Sequence, residues 1–313
     1  MSGHGHDHGP LPSPTEATEV ADGIYAYIQN DGTWWINNTG FMVGSRGVIA
    51  IDACATVART EALLATIGRI SDQPVRTLIN THHHGDHTFG NFLFSGATIV
   101  GHSKMREAIA AFGTPRSAPV FTEVEWGAVE LAPPFLTFDE SVRVYVDDLE
   151  CEVRYVGSPA HTTNDSIVWI PEHKLVFCGD LLFNGGTPFL VQGSIAGARE
   201  ALQGLRELEA ETIVPGHGPV ATPALIESVD AYLIFVQESA RQGREAGLSP
   251  LEVGRSLDLG EFTHLSDNER IVGNLHRAYA ELDGKPLGSP LAIDVVFADM
   301  VEYNGGKPLT CLA

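Results

Sequence analysis

Val75-Arg76-Thr77-Leu78-Ile79-Asn80-Thr81-His82-His83-His84-Gly85-Asp86-His87 is the stretch that sets the reading of this chain. Residues 75–80 are apolar and β-branched enough to predict a short buried strand. The pattern H-x-H-x-D-H follows where that strand ends. Histidine and aspartate are costly to cluster in a protein interior, because each needs a partner. A metal ion removes that cost. His82 and His84 are two apart and project to one side of an extended segment. Gly85 permits a tight turn before Asp86 and His87, so the two halves can face two neighbouring ions. His83 falls on the other parity and reads as a non-ligand.

Composition bounds the rest. The chain has 313 residues and 43% hydrophobic content, enough for one large α/β domain with an extension. No stretch approaches the roughly 20 apolar residues of a membrane span. Forty acidic against nineteen basic residues give a formal charge of −21. That field disfavours nucleic acid or an anionic membrane as partner. Cys54, Cys151, Cys178 and Cys311 form no C-x-x-C and read as reduced, buried thiols of a cytoplasmic protein. Residues 1–17, with His4, His6 and His8, read as a flexible His/Pro/Gly tail without an export signal.

Along the chain, Val20 to Asp52 alternates as strands, with turn signals at Asn30-Asp31-Gly32 and Ser45-Arg46-Gly47. Residues 57–70 carry apolar side chains at helical spacing. A strand at 98–100 and a helix at 103–111 precede a long loop over 113–137. Strands follow within 142–156, then a hairpin of 167–170 and 175–178, a helix at 196–209 and a strand at 212–214. The last third is helical. Thr222-Pro223 predicts an N-cap with proline at the first helical position. Ser249–Glu252 and Ser266–Glu269 both fit the capping box.

Three later loops are built like the first. His161 stands in Ala160-His161-Thr162 just beyond a strand. Asp180 closes the apolar run Leu175–Cys178 through Gly179. His217 sits in Gly216-His217-Gly218 after Ile213-Val214. One such position alone would be weak. Three of them, each flanked by small residues, are collectively strong.

Together with H-x-H-x-D-H, these motifs resemble the metallo-β-lactamase superfamily over roughly residues 18–222. The resemblance implies an α/β fold, a four-layer αββα sandwich with the metal site at one edge. Residues 223–313 would form a helical extension packed on it. It also implies that His82, His84 and His161 hold a first ion. Asp86, His87 and His217 would hold a second, with Asp180 bridging both. Zinc suits this N/O set best, and iron or manganese accept similar shells. Asp86 would be the catalytic proton shuttle, with His83 and Thr162 orienting ligands.

Departures within the superfamily narrow the expected activity. Asp180 at the bridge argues against antibiotic hydrolysis as the main task. His84 stands where the diiron flavoproteins carry glutamate, and Phe183 where acyl-homoserine lactonases carry tyrosine. The segment 179–189 is similar to members of the cyclase/thioesterase type of aromatic-polyketide pathways. The expectation is a dinuclear hydrolase that cleaves a thioester, ester or lactone of a bulky apolar or aromatic substrate. That substrate is a small molecule, free or tethered to a carrier protein, and the enzyme a possible homodimer. Trp34, Trp35, Phe183 and Phe189 are the expected pocket residues, with Phe121, Trp126, Phe135 and Phe138 as further wall or core candidates. The alternatives are a mononuclear-iron persulfide dioxygenase, a lactonase or β-lactamase, and a non-catalytic binding protein. The complete ligand set argues against the last.

Overall fold

The computed structural model describes residues 15–29, 32–115 and 119–313. Most of the expected N-terminal tail and part of the turn signal at 30–32 lie outside them. The first sheet holds β1 (Ala17–Ala21), β2 (Ile24–Tyr27), β3 (Thr39–Val43) and β4 (Val48–Ile51). Then come helix α1 (Val57–Ile70), β5 (Val75–Ile79), the single turn α2 (Gly85–Thr88), β6 (Thr98–His102), α3 (Ser103–Phe112) and β7 (Leu136–Phe138). The second sheet follows with β8 (Ser141–Val146), β9 (Leu149–Tyr155), β10 (Ser166–Ile170) and β11 (Leu175–Phe177), then α4 (Ile195–Glu207) and β12 (Thr212–Val214). Helices α5 (Ala224–Glu245), α6 (Pro250–Ser256), α7 (Arg270–Leu282) and α8 (Ile293–Tyr303) complete the chain.

The first sheet runs in sequence order, antiparallel through β4 and parallel from β4 to β7. The second has the order β12-β11-β10-β9-β8, and its β11–β12 pair is parallel. Strand alternation sorts the side chains into layers. Met42, Ile49 and Ile79 of the first sheet meet Val153, Val168, Ile170 and Phe177 of the second. Their neighbours Phe41, Ala50 and Leu78 point the other way, onto Leu63 and Ile67 of α1. On the far side, Ile167, Trp169, Val176 and Ile213 pack under α4, α5, α7 and α8. The result is the αββα sandwich. At Gly40 the sheets come so close that any Cβ would collide with the Phe177 ring. All four cysteines are buried and unbridged. Among the described residues, no helix is long and apolar enough to cross a membrane.

Local signals held unevenly. The Ser249 capping box forms in full. The Ser266 box does not: α7 begins at Arg270, and Glu269 makes no cap. Tertiary partners win there. Ser266 pairs through its backbone with Gly185 and Thr187, and the Glu269 carboxylate takes the Trp34 Nε1–H at 2.6 Å. Pro223 occupies the N-cap of α5 rather than its first turn, so Thr222 does not cap it. Trp34 and Trp35 lie within the long β2–β3 connection, not at a tight hairpin tip.

Candidate metal centre

The loops that leave β5, β9, β11 and β12 open at one edge of the sandwich. Each brings polar side chains to the same place. His82, His84, His161 and Asp180 form one cluster; Asp86, His87, Asp180 and His217 form a second. Within each, the potential ligand atoms lie within 4.8 Å of one another. Donors about 2.1 Å from a shared ion would be spread almost as widely. Asp180 belongs to both clusters. Its Oδ1 is 3.1 Å from His87 Nε2, and its Oδ2 is 3.3 Å from both His161 Nε2 and His217 Nε2. Any Cβ at Gly216 would collide with Asp180 Oδ1, so the strand end must be bare there.

The outward nitrogens decide how the rings present themselves. His161 Nδ1 donates to the Phe189 carbonyl at 2.5 Å, His217 Nδ1 to the Gly32 carbonyl at 3.1 Å and His87 Nδ1 to Asp52 at 2.8 Å. His84 uses Nε2 instead, on Gln192 at 2.9 Å. A neutral ring that donates on one side turns a lone pair inward on the other. His84 Nδ1 and His161 Nε2 therefore stand 2.8 Å apart. His82 Nε2, His87 Nε2 and Asp180 Oδ1 are buried without a well-aligned hydrogen bond. Buried polar atoms are rarely left so. Five imidazoles and two carboxylates, three of their inward atoms orphaned, fit a pair of divalent ions.

His83 belongs to neither cluster. Its backbone N–H and its ring are both held by Asn164, at 3.1 Å each. Thr162 donates to Asp165 through N–H and hydroxyl, which shapes the His161 loop without touching a ligand ring. Asp52 and Gln192 have no place in the motif reading. Asp52 also accepts from Thr81 N–H and hydroxyl, at 2.8 and 2.7 Å, so its orientation is fixed. Asp52→Ala should weaken binding of the second ion about 10–100-fold, because His87 loses its tautomer and aim. Chelator competition on the purified variant checks this; unchanged affinity would show that Asp52 is only structural.

Burial holds His82 and His84 far below the usual imidazole range and His161 at about 4. Those rings are held neutral, the form in which imidazole can bind a metal. Burial also opposes charge on His87 and His217, but Asp180 and its neighbouring carboxylates outweigh it. His87 is raised well above the ordinary value and His217 to about 9. Burial opposes ionisation of Asp180 too, yet His217, His87 and His161 keep it well below the carboxylate range.

A cavity of about 530 Å³ opens onto both clusters. Trp34, Trp35, Phe183 and Phe189 line it, and so do Phe112, Phe121 and Phe297. Trp34 meets Phe121 and Phe189 edge-on, with centroids 5.2 and 4.9 Å away. Phe183 stacks on His217 at 4.8 Å, so it braces a ring of the second cluster as well as forming wall. Trp126 lines an adjoining cavity of about 740 Å³ that shares Trp35, Phe112 and Phe121. Phe138 packs between the sheets and Phe135 is 86% exposed; neither lines these cavities.

The fold and the site define an αββα sandwich with a two-part His/Asp centre at its edge. The chain belongs to the metallo-beta-lactamase superfamily, whose family model matches residues 32–217. The hydroxyacylglutathione hydrolase of Rhodospirillum rubrum is 30% identical over 53% of this chain and 57% of its own length. The chain thus spans little more than half of that relative. The 2,4-dinitroanisole O-demethylase subunit alpha of a Nocardioides species is 28% identical over 67% of this chain and 61% of its own. Among solved structures, a metallo-beta-lactamase from Pontibacter korlensis superposes with a TM-score of 0.59. It is 21% identical, and the match covers 70% of this chain and 99% of that one.

Proposed function

We propose that this chain is a dinuclear metal-dependent hydrolase of esters or thioesters with a bulky aromatic acyl group. One observation carries the reading: the aromatic cavity and both ligand clusters share the same walls. His82, His84, His161 and Asp180 would hold one ion, and Asp86, His87, His217 and Asp180 the other, zinc being the ion we assign. Bound there, the pair supplies a nucleophilic water at neutral pH and a Lewis acid for the carbonyl. Asp86 lines the cavity, with Oδ2 3.4 Å from His217 Nε2, and its other oxygen would accept and return a proton. Trp34, Phe121 and Phe189 hold a flat acyl group and exclude water from it.

The cavity's lining favours an apolar ligand: Trp34, Trp35, Phe112, Phe121, Phe183, Phe189 and Phe297 form most of its wall. With Asp86 and Asp180 committed to the ions, the other charges on the wall are Asp294 and the buried guanidinium of Arg270, which is paired with Asp267 at 2.8 Å. One relative's name refers to hydroxyacylglutathione and another's to an aryl methyl ether, which supports acyl and aromatic substrates. The finer reading is a thioesterase or cyclase acting on a carrier-tethered polyketide, whose apolar bulk and thiolate leaving group suit this site.

The test compares kcat/KM for aryl thioesters, a hydroxyacylglutathione, nitrocefin and a homoserine lactone. Aryl thioesters should lead β-lactams by about tenfold or more, or 1.4 kcal/mol of transition-state binding. The reverse ranking overturns the proposal. Failure on every thioester, with oxygen uptake on a persulfide, would favour the dioxygenase alternative.

A further inference from the structure

Helix α7 carries Arg270, Asn274, Arg277 and Glu281 at i, i+4, i+7 and i+11, which is one face of a helix. A polar stripe of that kind is ordinarily solvated. Here Arg270 is 2% exposed, and Asn274 and Arg277 are 0%. All four face a single stretch of backbone, residues 187–196, and bind it in order. Arg270 Nη1 donates to the Thr187 carbonyl at 2.9 Å. Asn274 donates to the Pro188 carbonyl at 2.7 Å and accepts from the Leu190 N–H at 2.9 Å. Arg277 Nη2 donates to the Val191 carbonyl at 2.5 Å. Glu281 accepts from the Ile195 and Ala196 N–H groups at the start of α4, at 2.8 and 3.2 Å.

The stretch so held contains the outer partners of two of the three histidines in the first cluster; that of His82 is Thr81, outside it. Phe189 offers the carbonyl that orients His161, and Gln192 the side chain that orients His84. Neither belongs to a regular element, so no strand or helix ladder fixes the segment that leads into α4. We propose that this polar stripe of α7 is a positioning device for His84 and His161, and so for the ion they would hold. The inference rests on reading His82, His84, His161 and Asp180 as metal ligands. It gives the C-terminal extension a task in the centre itself. Helix α7 contributes no ligand; it sets the aim of two of them through two backbone steps.

Two variants test it on the full-length, metal-loaded protein. Asn274→Ala removes two rungs. Arg277→Met keeps the stem and removes the guanidinium. Both should lose one ion to a chelator about 10–100-fold more readily than wild type, while the second ion is held normally. With cobalt(II) as probe, the visible spectrum of the first site should change, and Arg277→Lys should recover part of the wild-type signal. A merely structural role would lower the melting temperature without separating the two ions. His161→Ala is the control, because it removes a proposed ligand directly. If it loses one ion while folded N274A and R277M keep both at wild-type affinity, the positioning role is wrong. If N274A fails to fold, R277M carries the comparison. A wild type that binds no ion, or an H161A variant that still binds two, refutes the ligand assignment and the inference with it.

Discussion

Protein stripped with a chelator should lose all hydrolytic turnover and melt at least about 10 °C lower, and zinc should restore both. A ligand present at 1,000 times its dissociation constant stabilises the folded state by about 4 kcal/mol. In a chain of this size each kcal/mol moves the melting point by roughly 2–4 °C. The gap in melting temperature between loaded and stripped protein should narrow as the pH falls. His87 and His217 are raised above their unfolded values, so the metal-free protein draws stability from their protons. For His217 that stability is complete below about 6.5 and disappears as pH rises through about 9. Metal entry must displace those protons, so affinity at the second cluster falls with acid, by up to about tenfold per pH unit for each proton displaced. Competition with a chelator at pH 6, 7 and 8 measures the slope. A flat profile would mean that the rings enter the site already neutral.

The two clusters were legible because their motifs stand just beyond apolar strands and beside small residues. The sandwich does the rest: loops leaving four strands open at one edge, so ligands distant in sequence meet there. Asp52 carries the same signature, an aspartate closing the apolar strand Val48–Ile51. It escaped notice because its partner His87 lies 35 residues on and no histidine adjoins it. Gln192 had no local signal at all. The polar stripe of α7 was hidden by its own spacing. Helical periodicity separates apolar from polar faces, and Ile271, Val272, Leu275 and Tyr279 marked the apolar one. It cannot show that the polar face is buried against another segment's backbone. The same limit applies to Ser266 and Glu269, whose capping pattern yielded to Gly185, Thr187 and Trp34.

Asp86→Asn should lower kcat by about 10²–10⁴-fold, the usual worth of a positioned proton-transfer group, while the fold survives. The substitution keeps the side chain's size and one oxygen but removes the charge and the capacity to take a proton. Asp86 sits 3.4 Å from His217 and 3.7 Å from His87 and faces the aromatic cavity. Its work therefore falls in the transition state, and kcat should drop with little change in KM. His83→Ala is the matched comparison. It adjoins His84 in sequence and is equally buried, yet its ring is held by Asn164 and belongs to neither cluster. Its loss should cost stability more than turnover. The pair separates chemistry from packing within one loop. If ion content is first shown to be normal in Asp86→Asn, equal kcat losses in the two variants would mean that Asp86 moves no proton.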